Sequence, residues 1–271
     1  MTGSGIGARV RRKEDKRFIT GRGNYTDDIN RHGQTHAVFL RSPHAHARIV
    51  SVDTKAAMAA GAVAVLTGKD VADAGINGLP CGWLIHNKDG SPMKEPVHPV
   101  IAFDRVRHVG DIIAMVIAET KNKARDLAEL VDVDYEVLPA AVNAVEALKP
   151  GAPQVHDDVE GNLCYDWHLG EREPVDAAFA QAAHVTKLDV YNNRLAPNAM
   201  EPRAAIGEYD RASDEHTLYT TSQNPHVIRL LMGAFVLGLP EHKLRVVAPD
   251  VGGGFGSKIF HYAEEAAVTW A

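Results

Sequence analysis

Cysteine is scarce in this chain. Two residues in 271, Cys81 and Cys164, make neither a disulfide framework nor a metal-ligand spacing. That scarcity fits a reducing compartment, and it leaves too few thiolates for an iron–sulfur cluster held by this chain alone. Long apolar runs are also missing. The longest stretches, such as residues 112–118, are strand-sized, far short of the roughly 20 residues a bilayer-spanning helix needs. The basic residues near the start have no apolar segment behind them, so they do not read as a secretory signal, and a cytoplasmic location is expected. Positive charge is outnumbered, with 29 Lys and Arg against 35 Asp and Glu, and no basic stripe appears. Nucleic acid and membrane surfaces are therefore not expected as partners. No internal repeat or low-complexity stretch is present.

What the chain does have is the composition of a globular protein. Hydrophobic residues make up 45%, enough for two domains to bury cores of ordinary size. Period-two patterns predict strands over residues 35–42 and 47–53, followed by a short helix over 54–60 and a β-branched strand over 62–67. A long loop rich in Gly, Pro, Asn and His occupies residues 75–99. A buried strand over 109–119, a helix over 121–130 with Ala124, Leu127, Ala128 and Val131 on its apolar face, and a strand over 131–138 give a β-α-β rhythm. The best domain boundary is Lys149-Pro150-Gly151-Ala152-Pro153. Beyond it, a polar stretch over 161–174 leads to an amphipathic helix over 175–182. Strands are expected over 185–191, 203–209, 217–221 and 243–248, with a helix over 225–237 between the last two. A final helix over 259–271 stops without Gly, Pro or a basic terminal residue, which reads as a chain cut within a longer protein. The fold class is mixed α/β (α+β).

The strongest local signal is Val251-Gly252-Gly253-Gly254-Phe255-Gly256-Ser257-Lys258, expected to follow a strand and open a helix. Its glycines allow positive φ and close backbone approach, and successive N–H groups at a helix start attract anions. Two familiar patterns fail here. A P-loop needs Gly-Lys-Ser/Thr at its end, whereas this loop ends Ser257-Lys258-Ile259. A dinucleotide fingerprint needs a third glycine at 257. About thirty residues upstream, Ser222-Gln223-Asn224-Pro225-His226 marks another strand-to-helix turn, with Asn224 as N-cap and Pro225 at the first helical position. If the two strands are parallel neighbours, Gln223 and the loop around Phe255 face one crevice.

The pair Thr-Ser-Gln-Asn-Pro-His (221–226) and Gly-Gly-Gly-Phe-Gly-Ser-Lys (252–258) resembles the molybdenum-binding subunits of the xanthine dehydrogenase and aldehyde oxidase superfamily, most closely the carbon monoxide dehydrogenase type with separate subunits. Phe-Ile-Thr-Gly-Arg-Gly-Asn-Tyr-Thr-Asp-Asp (18–28), Leu-Arg-Ser-Pro-His-Ala-His-Ala-Arg-Ile (40–49), Val-Gly-Asp-Ile-Ile-Ala (109–114) and Asn-Ala-Met-Glu-Pro-Arg (198–203) agree with it. The resemblance implies an N-terminal arm over 1–17, an α/β hammerhead domain over 18–148 and the start of a molybdopterin-binding domain over 154–271. It also implies molybdopterin, expected as the cytosine dinucleotide with molybdenum, and hydroxylation of an aldehyde, carbon monoxide or an aromatic heterocycle with oxygen from water. Gln223 would hydrogen-bond an oxo ligand, and Gly253, Gly254, Phe255 and Gly256 would line the cofactor, Phe255 also shaping the substrate side. No protein side chain would ligate the metal directly. Electrons would leave to an FAD subunit and a 2Fe-2S subunit, in a homodimer of heterotrimers. The family's catalytic base, a glutamate, would lie beyond residue 271. Ile259 stands where purine-oxidising relatives carry a substrate-reading glutamate, which argues against a xanthine-type pocket.

Other residues invite plainer readings. His44 and His46 share a strand face, but no acidic or cysteine ligand stands beside them, so packing is expected rather than metal binding. Glu201 is expected to form an ion pair with Arg203. Lys258 reads either as an anion ligand or as a solvated lysine at a helix start. Glu264 and Glu265 are expected on a solvated helix face. Two further readings stay open: a nucleotide-binding α/β module using residues 252–258 for phosphate, and an inert assembly or docking piece.

Overall fold

A computed structural model describes residues 5–271; the first four residues of the expected arm lie outside the described residues. A short helix, α1 (Asp15–Ile19), lies at the end of the arm, and a 3-10 turn at Thr26–Asp28 follows within the hammerhead range. Then follow β1 (His36–Arg41), β2 (Ala47–Asp53), α2 (Lys55–Ala59), β3 (Ala64–Thr67), α3 (Gly68–Asp73), β4 (Arg105–Val106), β5 (Ile112–Ala118), α4 (Lys121–Ala128) and β6 (Asp132–Val137). The periodic segments of this half are all present; β2 keeps its expected bounds, and the others are a few residues shorter than their patterns. The short helix α3 has no counterpart in the periodicity. The side chain of Asp70 accepts from Thr67 N at 2.7 Å and so closes its first turn.

The strands form two three-stranded antiparallel sheets, β1-β5-β3 and β4-β2-β6. The succession β5, α4, β6 therefore makes no parallel pair, because the two strands enter different sheets. Strand β5 is buried on both faces, which explains its unbroken apolar run. Ile112 and Met115 enter the core shared with the second half, while Val116 and Ala118 pack with Ala124, Leu127 and Ala128 of α4. Thr120 caps α4 by accepting from Lys123 N at 3.2 Å.

The second half contains α5 (Ala144–Ala147), α6 (Arg172–Gln181), β7 (Ala205–Asp210), β8 (Glu215–Thr220), α7 (Pro225–Leu230), β9 (Leu244–Val247) and α8 (Ala263–Trp270). Strands β7 and β8 form an antiparallel hairpin, and β9 joins β8 in parallel after the α7 crossover. Four expectations need correction. The strand over 185–191 does not form: Leu188 and Val190 are exposed, and no described strand pairs with the segment. A strand without a ladder partner leaves its backbone groups to solvent, so alternation alone does not make one. The helix over 225–237 is α-helical only to Leu230 and continues as π-helical turns at Leu231–Val236, a widening that accompanies full burial of Met232 and Val236. The last helix starts at Ala263, not at 259. Helix α6, expected to be amphipathic, buries none of its residues.

One apolar core runs through both halves. Val71, Leu79, Val100, Ile101, Ile112 and Met115 pack with Leu218, Ile228, Met232, Val236, Leu244, Ala266 and Ala267. The proline-rich boundary at residues 149–153 is thus a linker in sequence but does not separate two cores.

Candidate functional site

Because β8 and β9 are parallel neighbours, their C-terminal ends emerge side by side. Gln223 follows the first and the glycine loop the second. The backbone N–H of Gln223 donates to the Lys258 carbonyl at 2.8 Å. Its side-chain Oε1 accepts from Gly256 N at 3.1 Å and Lys258 N at 3.3 Å. Two backbone donors fix which end of the amide faces the loop. The Nε2 group is left without a protein acceptor among the described residues. Gly254 lies so close that a Cβ there would overlap the Gln223 amide. Gln223 and the loop around Phe255 therefore meet, as their parallel strands led one to expect, and are hydrogen-bonded to each other.

The loop takes φ values of +99° at Gly253, +51° at Phe255 and +86° at Gly256. Phe255 is thus a non-glycine residue in left-handed backbone, with its ring 73% exposed. Strained backbone of this kind, held by the surrounding structure, clusters at active sites and ligand clamps. The N–H groups of Gly253, Gly254 and Phe255 donate to no protein acceptor among the described residues. Instead of opening a helix, the chain closes into a turn, with Ser257 N and Ser257 Oγ both donating to the Gly254 carbonyl at 2.9 Å. An anion site would rest on loop amides alone, because α8 begins only at Ala263.

Lys258 is neither an external anion ligand nor solvated. It is 2% exposed, and its Nζ donates to Glu201 Oε2 and to the Glu201 carbonyl, both at 2.9 Å. The same Oε2 accepts from Gly252 N at 2.6 Å. Glu201 therefore pairs with Lys258 rather than Arg203, whose guanidinium lies over the Tyr262 ring at 3.7 Å. Arg17 of the arm and Asn24 beyond it reach the root of the loop. Asp250 accepts from Asn24 N at 2.8 Å and from the Arg17 guanidinium, and its own N–H donates to the Asn24 carbonyl at 3.1 Å. The Arg17 guanidinium holds the Asp250 carboxyl below the usual carboxylate range. Nothing in the periodicity of residues 14–28 signals this contact across the chain.

Glu265 corrects another expectation. It is 6% exposed and accepts from Thr220 Oγ1 at 2.5 Å and Tyr262 N at 2.9 Å, and burial pushes its carboxyl pKa up. Glu264 pairs with the Arg41 guanidinium. His44 and His46 lie in the connection between β1 and β2, not on a strand, because Ser42 Oγ turns the chain by bonding the backbone of His44. His46 Nδ1 meets the Pro139 carbonyl at 2.7 Å, and the His44 ring packs edge-on against Tyr135. No group of three potential metal ligands occurs among the described residues, and no described helix is long and apolar enough to cross a membrane.

With this geometry, two family models match. A molybdopterin cofactor-binding domain covers residues 155–271, and the aldehyde oxidase and xanthine dehydrogenase a/b hammerhead domain covers residues 20–139. The chain belongs to the xanthine dehydrogenase and aldehyde oxidase family. It is similar to the carbon monoxide dehydrogenase large chain of Afipia carboxidovorans, at 37% identity over 96% of this chain and 32% of that protein. It is also similar to the nicotine 6-hydroxylase large subunit of Paenarthrobacter nicotinovorans, at 34% identity over 98% of this chain and 32% of that protein. Among solved structures, quinoline 2-oxidoreductase from Pseudomonas putida matches with a TM-score of 0.88 at 35% identity, covering 98% of this chain and 33% of that one. The chain spans about a third of the length of these relatives. The fold is thus a hammerhead domain followed by a molybdopterin-binding domain, and Gln223 and the glycine loop belong to the latter.

Proposed function

We propose that this chain is part of the catalytic subunit of a molybdenum-dependent hydroxylase, and that Gln223 with residues 253–256 forms one wall of its cofactor site. The observation that carries the reading is the donor set where Gln223 meets the glycine loop. One free amide Nε2 and three successive backbone N–H groups lack protein acceptors among the described residues. The nearest carboxylate, Glu201, is engaged by Lys258 and Gly252 N. Donors without competing negative charge suit a molybdenum–oxo group and the phosphate of a pterin, expected as molybdopterin cytosine dinucleotide. The residues present therefore fit the group.

When bound, the cofactor supplies two-electron oxidation with oxygen drawn from water. The chain's own residues bind and orient. Gln223 Nε2 would help hold the group by donating to an oxygen ligand, while Oε1 is anchored on the loop. Gly253, Gly254 and Phe255 present their N–H groups, and the exposed Phe255 ring offers an apolar wall to substrate. Ile259 and Phe260, both partly exposed, extend that apolar character. An aldehyde, carbon monoxide or an aromatic heterocycle suits such a wall better than an anionic substrate. FAD and 2Fe-2S groups on partner subunits would take up the electrons, in an assembly we take to be a cytoplasmic homodimer of heterotrimers. Gln223 and Phe255 carry no titratable group, and the base is taken to be the glutamate that the family resemblance places beyond residue 271.

The test is to express the complete subunit with its partner subunits and measure molybdenum and substrate-dependent dye reduction. Gln223→Ala is expected to lower kcat about 100-fold, the scale of losing one preorganised donor, with molybdenum retained. Saturable micromolar binding of ATP or NAD in protein that never holds molybdenum would favour the nucleotide-binding module instead. Burial of Lys258 against Glu201 already counts against that module, because no lysine is left for phosphate. A docking piece draws support from the unpaired apolar residues Leu188, Val190 and Tyr191. Partner capture without cofactor would point there.

A further inference from the structure

We propose that Glu201 and Lys258 are positioning residues: their buried ion pair holds both ends of the glycine loop so that Gly256 and Lys258 can bind Gln223. The inference rests on reading that loop as the cofactor wall, but its first readout needs no cofactor.

Three observations meet here. Lys258 closes the loop, and its ammonium is 2% exposed with both bonds directed to Glu201. Gly252 opens the loop, and its N–H donates to the same Glu201 oxygen at 2.6 Å. A Cβ at Gly252 would come within 2.5 Å of Glu201 Cβ, so the carboxylate sits directly under the loop's entry. One side chain thus ties residues 252 and 258 together and leaves the five residues between them to arch outward. The backbone N–H of Lys258, whose side chain is held below, is one of the two donors that fix the Gln223 amide.

Stability does not account for this arrangement. Desolvating two charges offsets most of their attraction, and an apolar pair of similar volume often does as well. Glu201 Oε1 is also buried without a partner, so the carboxylate is not even fully satisfied. What apolar side chains of that size cannot supply is a single acceptor reached from both ends of the loop. The consequence of the pair therefore lies in loop shape. Asp250, tied to Arg17 and Asn24, holds the preceding residue independently, so the chain enters the loop from a fixed root.

The experiment compares the 271-residue chain with Glu201→Gln, Lys258→Met and the double variant Glu201→Met/Lys258→Met by residue-resolved hydrogen exchange and thermal unfolding. Each single variant leaves a polar or charged partner buried and is expected to lower Tm. The double variant is expected to regain most of that loss. In the double variant the amides of Gly256 and Lys258, which bond Gln223 and not Glu201, are expected to exchange about tenfold faster than in the parent, while β5 amides keep their protection. A purely structural pair would instead leave those two amides at parental rates in the double variant, and that result would overturn the proposal. In the complete subunit with its partners, the double variant is expected to lose molybdenum at near-parental Tm, and full retention would equally contradict the positioning role. A parent without molybdenum would sink the proposed function, and the exchange of Gly256 and Lys258 would then decide the role of the pair alone.

Discussion

At the scale of single residues, Gln223 and Gly254 form the tightest constraint in the site. The Gln223 amide occupies the space a Cβ at 254 would need, so glycine at that position is a matter of volume. Gly254→Ala is expected to push Gln223 off the Gly256 and Lys258 amides and to cost about 1–3 kcal/mol, the range of overpacking. Chemical denaturation of the two proteins checks the cost, and an unchanged midpoint would show that Gln223 has another place to go. The meeting of Gln223 with the loop was legible in the sequence, because each is announced by a strong local turn signal and short parallel strands bring such turns together. Glu201 was not legible in the same way. The sequence offers it a basic neighbour two residues away, Arg203, while its real partner is Lys258, and only the fold decides between them. Arg203 instead covers an aromatic face, an arrangement that charge pairing along the chain does not suggest.

At the scale of elements, the expected elements are clearest where burial enforces periodicity, and the expected strand that did not form is one with no neighbour. Strand β5 and helix α4 are clear because both lie against apolar layers. The stretch over 185–191 has the right alternation but no neighbour; α6 does form, from its helix formers alone, but buries no face. Helix α8 shows the opposite error. Its paired glutamates looked like a solvated face, yet Glu265 turns inward to Thr220 at the end of β8 and caps the N–H of Tyr262. Glu265 thereby links the start of α8 to the strand that delivers Gln223. Glu265→Ala is expected to destabilise the chain by about 1–3 kcal/mol, because Thr220 Oγ1 and Tyr262 N lose their acceptor in a buried place. Urea unfolding measures this directly. A change within a few tenths of a kcal/mol would mean that water replaces the carboxylate.

At the scale of the whole molecule, the two domains share an apolar core, and polar contacts reinforce the seam through Arg41 and Glu264 and through the arm at Asp250. The composition allowed two domains but could not show that their cores merge. His261 lies at this seam, and burial holds its pKa below the ordinary imidazole value near 6.5, with nearby His98 lowering it further and the Pro80 carbonyl opposing. The unfolded chain therefore takes up that proton first as pH falls. The stability His261 contributes is complete above about pH 6.5 and declines below it toward the folded-state pKa. Glu265 acts in the opposite sense, since its raised pKa makes its charged form the costly one as pH rises. His261→Gln is expected to flatten the decline below about pH 6.5, as followed by thermal unfolding. An unchanged slope would place the titrating group elsewhere. The account as a whole depends on the loop of residues 252–258 facing a molybdenum cofactor. The most direct measurement is the molybdenum and pterin content of the complete protein purified with its partner subunits from its own host. The account predicts about one molybdenum per copy of this chain, with a pterin released on denaturation. Protein that is folded, fully assembled and free of both would contradict it.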